Sequence, residues 1–459
     1  MRDSEVKIGF AAGDLSPALP AELPVNEGVD VRCFALRQGR RAALWAVFDL
    51  MDLDLPTVER LRSAINGVAP RSAGSHLHIL STHNHGAPEP ERRDLSRIAA
   101  IAADTAKQAF AAARPARMRG VVVDLPEPLS IQRRIRVPEV KGAATLFYGV
   151  GKHNDFDASG FVRKYLSVLK ESGELCFTGE SPGASSPRPV PPGPSEAALL
   201  EFIDAADSHP LGSIVRFSAH AVCSNLPGCI SSDYPGYLRR EIESSFGGTA
   251  IFLNGPCGEI APAIPGKSRA AAAAMGKAIA SGVLNAIAAE PFEQLRFFLD
   301  RSRKLKLPLR PELRMPGMEQ STSPLPTAPV SRRREVERRN LFLDFLGAKL
   351  SLPEGDQRDP DFAVELGALR LNRWLIAAYP GETFASTAAA LHRSRREISV
   401  TEHGRTAMYI PPSGEYRRGG YEVMCAAVPA GGEAVLRDKA GKFFAETRKK
   451  RFFLYKVGK

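Results

Sequence analysis

The sequence predicts an α/β protein, a single large domain built on a mixed sheet flanked by helices. Two observations carry this. Apolar strand-like segments alternate with alanine-rich helical segments from Ala42 to Ala289, a rhythm that argues for a sheet covered on both faces. The chain also has 459 residues, 44% hydrophobic and 25% charged, a composition that packs a core rather than staying disordered.

The elements follow in order. Met1-Arg2-Asp3-Ser4-Glu5-Val6-Lys7 enters a strand-like stretch without the apolar core of a secretion signal, so a cytoplasmic protein is expected. Ala42–Leu50 reads as a buried strand, and Pro56–Ile65 as a short helix with proline in its first turn. His76–Ser81 alternates with period two and is a strand; Ser96–Ala113 is a helix, and Arg119–Leu125 returns as a strand. Ser213–Ser218 is a strand, Pro235–Ser245 a helix, Thr249–Leu253 a strand and Ala270–Ala289 a long helix. Two segments break the rhythm and read as irregular loops, about 181–195 and 314–335, the first rich in proline and the second in Pro, Ser and Thr before a basic run. No internal repeat is detectable. No apolar run approaches the ~20 residues needed to cross a bilayer.

Charge and cysteine usage narrow the function classes. The net charge of +11 is concentrated in Arg301–Arg339, with Arg332-Arg333-Arg334 and Arg338-Arg339, and in the tail Arg448-Lys449-Lys450-Arg451. Neither run comes with a zinc-finger spacing or an RNA-binding aromatic motif, so no nucleic-acid partner is expected. A solvated basic surface attracted to an anionic membrane or substrate is the expectation instead. Six cysteines lie scattered without a CxxC pair, which points away from a disulfide scaffold. Cys223, three residues after His220, reads as a buried free thiol rather than a ligand.

The chemistry gathers at strand ends. The sequence has nine histidines, and His76, His78, His83 and His85 fall together. His76 and His78 lie on the strand and share a face, which makes them core or supporting residues. His83 and His85 fall at or past its carboxyl end, where binding sites of open α/β sheets lie. The strand Ser213–Ser218 runs into Ala219-His220, and Thr249–Leu253 into the turn Asn254-Gly255-Pro256-Cys257-Gly258-Glu259. Three strand ends thus deliver His, His and Glu to one edge of a sheet. Such donors suit zinc, whose open position holds a water that loses its proton near neutral pH. Neither a G-x-S-x-G elbow nor an HExxH helix is present.

Several separated blocks resemble, in the same order, the N-terminal catalytic domain of neutral/alkaline non-lysosomal ceramidases. Thr82-His83-Asn84-His85-Gly86 is similar to the family's THTHSG block. Phe217-Ser218-Ala219-His220 with Ser231-Ser232-Asp233-Tyr234-Pro235-Gly236 is similar to its second histidine block and SSD turn. Phe252–Pro262 resembles the turn that reads GDVSPN. Tyr379-Pro380-Gly381-Glu382-Thr383-Phe384 resembles PGEFT, and Tyr409–Tyr416 resembles the Y-I-T-T-x-E-E-Y block. Weaker likenesses at Gly9–Pro17 and Leu305–Arg310 extend the resemblance along nearly the whole chain, without room for the family's C-terminal immunoglobulin-like domain.

The resemblance implies a Zn²⁺ held by His83, His220, Glu382 and Tyr409, which moves the carboxylate ligand from nearby Glu259 to distant Glu382. It implies that His85 orients the reacting water or intermediate, that Arg133 binds a substrate oxygen, and that Glu259 supports a histidine tautomer. The activity implied is hydrolysis of an amide bond in a lipid-like or small N-acyl substrate. Two departures separate the chain from the family: Ala261 stands where the family has a head-group serine, and Ala385-Ser386-Thr387-Ala388 replaces TMxGRR. A zinc hydrolase of a small non-lipid substrate and an inactive binding protein of the same fold are the alternative readings.

Overall fold

The computed structural model describes residues 5–70, 76–137, 142–146, 191–314, 343–344, 346–352 and 359–449. The main sheet is built from β1 (Lys7–Asp14), β2 (Asp30–Gln38), β3 (Arg41–Phe48), β4 (Leu77–Ser81), β5 (Arg114–Asp124), β6 (Glu196–Asp204), β7 (Pro210–Phe217) and β8 (Thr249–Asn254). They stand in the order β8-β7-β6-β5-β1-β2-β3-β4. The sheet is mixed: β3/β4 and β7/β8 pair parallel, the other neighbours antiparallel.

Helices α1 (Leu55–Asn66), α2 (Leu95–Ala111), α3 (Asp233–Phe246) and α4 (Arg269–Ile287) supply the crossovers. Asp54, Asp94 and Ser268 accept backbone N–H groups at the first turns of α1, α2 and α4, the local signal that starts each helix. α4 is long and apolar enough to span a membrane by composition; here Ala272, Met275, Ile279, Val283 and Ile287 are buried against the sheet.

The topology is duplicated. β1-β2-β3-α1-β4-α2 and β5-β6-β7-α3-β8-α4 each comprise three antiparallel strands, a helical crossover to a parallel fourth strand, and a closing helix. The halves meet antiparallel where Lys7 faces Pro115 and Ile8 faces Arg114. The sequence shows no such repeat because a fold constrains only the period of apolar positions, which many different residues satisfy.

All four helices cover one face. Val58, Leu61 and Ile65 of α1 pack with Val31, Cys33, Leu44 and Ile79, and Tyr234, Leu238 and Ile242 of α3 with Val215, Phe217 and Phe252. The opposite face is covered by a second sheet rather than by helices. Its strands β9 (Phe298–Pro308), β10 (Asp361–Leu371), β11 (Trp374–Ala378) and β12 (Glu397–Val400) stand in that order. Leu369, Leu371, Trp374, Ile376, Ile398 and Val400 meet Ile8, Phe10, Phe34 and Trp45 of the main sheet. α5 (Ala385–Leu391) and α6 (Gly432–Lys449) cover the outer side, where Phe443 and Phe444 pack on Leu305, Leu307 and Leu366.

The strand expected at Leu305–Arg310 is the end of the longer β9. Its charged half hides the alternation: Arg301 and Arg303 lie over the Phe443 ring at 5.2 and 5.0 Å and pair with Glu446. Arginine stems can cover apolar surface in this way. Most of both irregular loops, 181–190 and 315–335, lies outside the described residues, as do Arg332–Arg339 and Lys450–Arg451.

Candidate metal centre

Each candidate ligand is placed by a turn at a strand end. After β4 the Thr82 N–H reaches Phe48 O and the Asn84 N–H reaches Leu50 O, so the chain leaves the sheet as an extension of its own register. His83 takes a left-handed conformation, φ 57°, that non-glycine residues adopt at a cost and often at functional sites. Asn84 locks the turn, donating from Nδ2 to Ser231 O at 2.7 Å and accepting the Gly86 N–H at 2.9 Å. The His85 N–H meets Ala221 O, which docks this turn against the one carrying His220.

The other two candidate ligands come from a short ladder of their own, formed by chain that follows strands of the second sheet. β11 runs into Tyr379-Pro380-Gly381-Glu382, and Glu382 stands directly opposite Tyr409 on a two-residue parallel ladder. Gly381 has φ 51°, and a Cβ there would lie 2.6 Å from Met408 O; only glycine permits this approach.

Five donor groups converge. His220 Nε2 lies 2.9 Å from Glu382 Oε2 and 3.2 Å from Tyr409 Oη. His83 Nε2 lies 3.4 Å from the same Glu382 oxygen and 3.3 Å from His85 Nε2. One donor atom from each of His83, His85 and His220 falls within 4.8 Å of the other two. The remaining ring nitrogens decide the tautomers. His220 Nδ1 donates to Ile260 O at 2.8 Å and His83 Nδ1 to Met51 O at 3.0 Å, so in neutral rings both Nε2 atoms carry lone pairs. Lone pairs then face a carboxylate oxygen and one another. A cation at their centre satisfies all of them, and imidazole, carboxylate and phenol oxygen together suit zinc or a similar borderline ion.

Without a cation the site stays electrostatically divided. Burial acts to lower His83, but the carboxylates of Glu382, Glu402 and Asp52 outweigh it and raise it to about 9. His220 falls to about 4 through burial and the nearby Arg133 guanidinium. His85 is held well below its ordinary value by burial and the other two rings. Burial acts to raise Glu382, yet the histidines hold it well below the usual carboxylate range. Burial pushes the Tyr409 hydroxyl well up, and a bound cation would reverse that.

The other expected site residues fall in varied places. Arg133 is buried beside the cluster, but its Nη2 donates to Tyr409 Oη at 2.8 Å and Gly258 O at 3.0 Å, and its Nε to Glu422 Oε1 at 2.8 Å. These bonds tie it to a candidate ligand and to the scaffold around it. Glu259 is not drawn into the donor cluster. Its carboxylate accepts the N–H groups of Ala385 at 2.9 Å and Ser386 at 3.4 Å, capping α5, and the tautomer of His220 is set by the Ile260 carbonyl. Burial raises Glu259 to about 7. Cys223 Sγ faces Met275 Sδ at 3.5 Å, inside the core. His78 Nε2 and His76 Nδ1 meet Asp300 Oδ2 at 2.8 and 3.1 Å, and His78 Nδ1 meets His403 Nε2 at 2.9 Å.

Three residues near the cluster lacked a readable sequence signal: Glu402, Glu422 and Tyr421. Glu402 Oε1 lies 3.6 Å from His83 Nδ1. Glu422 binds both Arg133 and Arg134, and the Tyr421 ring stands 5.7 Å from that of Tyr409. Only the tyrosine at 409 had a motif to mark it.

The fold has solved counterparts. The chain superposes on the crystal structure of neutral ceramidase from Pseudomonas aeruginosa with a TM-score of 0.65 at 15% identity, covering 97% of this chain and 75% of that one. A ceramidase complexed with C2 matches with a TM-score of 0.64 at 15% identity, covering 97% and 76%. No protein-family model and no curated protein matches. At this identity the likeness establishes a neutral ceramidase-like fold.

Proposed function

We propose that this protein is a zinc-dependent hydrolase that cleaves an amide bond of a lipid-like N-acyl substrate. The convergence of His83, His220, Glu382 and Tyr409 on one point, with His85 beside them, is the observation that carries this reading. The neutral ceramidase-like fold supports it. When bound, zinc would supply Lewis acidity and bring a water's pKa close to neutrality.

The protein's own groups divide the remaining work. Burial keeps His85 neutral, which leaves it able to accept a proton from the attacking water and return it to the leaving amine. Arg133, held by Glu422, fixes the Tyr409 hydroxyl. Ala261 is fully buried and pairs with Ile131 in a short ladder. The head-group hydroxyl contact implied by the ceramidase resemblance therefore has no serine oxygen at this position, and that favours a different polar group on the substrate, including a small non-lipid one.

The test is metal analysis of purified protein beside His83→Ala and His220→Ala, followed by a panel of N-acyl substrates that includes ceramide. Near-stoichiometric zinc in the wild type and its loss in both variants is the expected result. Zinc absent from the wild type sinks the proposal.

A further inference from the structure

Glu402 is an expensive residue without a role in the core. It is 4% exposed, its Oε1 has no hydrogen-bond partner among the described residues, and its φ is 59°. A buried carboxylate oxygen left unpaired and a left-handed non-glycine backbone both cost stability. The surrounding chain nevertheless holds this residue firmly. Its N–H reaches Gly381 O at 3.3 Å, and its carbonyl accepts the Ser81 N–H at 3.2 Å. On either side, the Thr401 N–H reaches Asn254 O and the Gly404 N–H reaches Ile79 O. His403 adds side-chain bonds to Glu365 O and His78. The ends of β4, β8 and β11 therefore all pin the segment that carries Glu402.

What the carboxylate faces is His83. Oε1 lies 3.6 Å from His83 Nδ1, the nitrogen whose proton also reaches Met51 O at 3.0 Å. Both residues stand in left-handed conformations, with φ 57° and 59°, so the two turns present their side chains to each other. Glu382, on the opposite side of the ring, approaches Nε2.

Resting on the metal-site reading above, we infer that Glu402 is a positioning residue. It backs His83 from the Nδ1 side and fixes the ring with its Nε2 toward the donor cluster. A carboxylate behind a metal-ligating histidine orients the ring and strengthens it as a donor.

The experiment compares wild type, Glu402→Gln and Glu402→Ala in full-length protein. It measures the zinc dissociation constant by chelator competition and the melting temperature of the metal-free forms. Glu402→Ala should weaken zinc binding about 10- to 100-fold, and Glu402→Gln, which keeps the shape but not the charge, by less. Both metal-free variants should melt close to the wild-type temperature, because removal of an unpaired buried carboxyl group offsets the support it lends to the His83 proton. Equal zinc affinity in all three proteins overturns the inference while leaving the metal site intact. A lowered metal-free melting temperature in both variants would instead make Glu402 a structural residue and overturns it as well. Zinc absent from the wild type removes both readings.

Discussion

Two buried histidine clusters share one strand and its exit, and they are chemically opposite. In the first, each ring nitrogen of His78 and His403 meets its own partner. His403 Nδ1 donates to Glu365 O at 3.1 Å, so its Nε2 accepts from His78 Nδ1. His78 Nε2 meets Asp300 Oδ2 at 2.8 Å, and the other carboxylate oxygen accepts the Trp45 indole N–H at 2.9 Å. Burial would raise Asp300, but His78, His76 and Trp45 hold it at about 2. In the second cluster the outward nitrogens of His83 and His220 are spent on carbonyls, and three inward nitrogens, those of His83, His85 and His220, gather beside Glu382. Both clusters contain imidazoles and a carboxylate at full burial. Convergence separates them: the first pairs its nitrogens off one by one, whereas the second gathers three around a carboxylate, where the proton on His83 serves one and a cation would serve all.

The largest effect should come from removing a donor on the converging side. His220→Ala should reduce bound zinc from near-stoichiometric to trace, measured by elemental analysis, while the circular dichroism spectrum stays unchanged. Retained zinc would mean that the lone-pair argument picks the wrong cluster.

The complementary substitution is Asp300→Asn. Breaking a buried charged pair by removing one partner costs about 3–5 kcal/mol, read from denaturant unfolding, and folded protein should still bind zinc stoichiometrically. Loss of zinc with unchanged stability would invert the assignment of the two clusters. Gly367→Ala probes the same side more gently. A Cβ there would meet His78 Nδ1 at 2.8 Å and His403 Nε2 at 3.0 Å, and overpacking of this kind costs about 1–3 kcal/mol.

The pH dependence of stability separates the clusters within one protein. His83 is raised from 6.5 to about 9, so its contribution to the metal-free fold is complete below 6.5 and is lost as pH rises through 9. Zinc competes with that proton and should bind more tightly across the same window. Burial lowers His403 from 6.5 to about 4; its contribution is complete above 6.5 and is lost as pH falls toward 4. The metal-free melting temperature should therefore fall on both sides, the acid limb being shared with His220, which is also lowered to about 4, and saturating zinc should flatten the alkaline limb. A metal-free profile that is level from 6.5 to 9 would count against the site. The smallest effect expected is that of Glu259→Ala, about 1 kcal/mol for a lost helix cap, with zinc affinity unchanged.

Much of this was legible beforehand for local reasons. The helices Leu55–Asn66, Leu95–Ala111, Asp233–Phe246 and Arg269–Ile287 lie close to their expected bounds because period, caps and turn residues act over a few positions, whereas the strand Glu196–Asp204 was not anticipated. His83, His85 and His220 stood out because each follows an apolar strand directly. Glu382 and Tyr409 had no such signal and were reached only through the ceramidase-like motifs.

By itself, then, the sequence determined the main helices and the strands whose ends carry histidine, since both follow from short-range pattern. Tertiary structure decided the rest. It put Tyr409 beside a histidine 189 residues away in the chain, turned Glu259 into a helix cap, set Glu402 behind His83, and covered the second face of the sheet with another sheet. It also separated two clusters of the same residue types. The reason is hydrogen-bond accounting: whether a buried nitrogen meets a carbonyl, a second imidazole or a carboxylate depends on groups brought together from distant segments, and no local pattern records that.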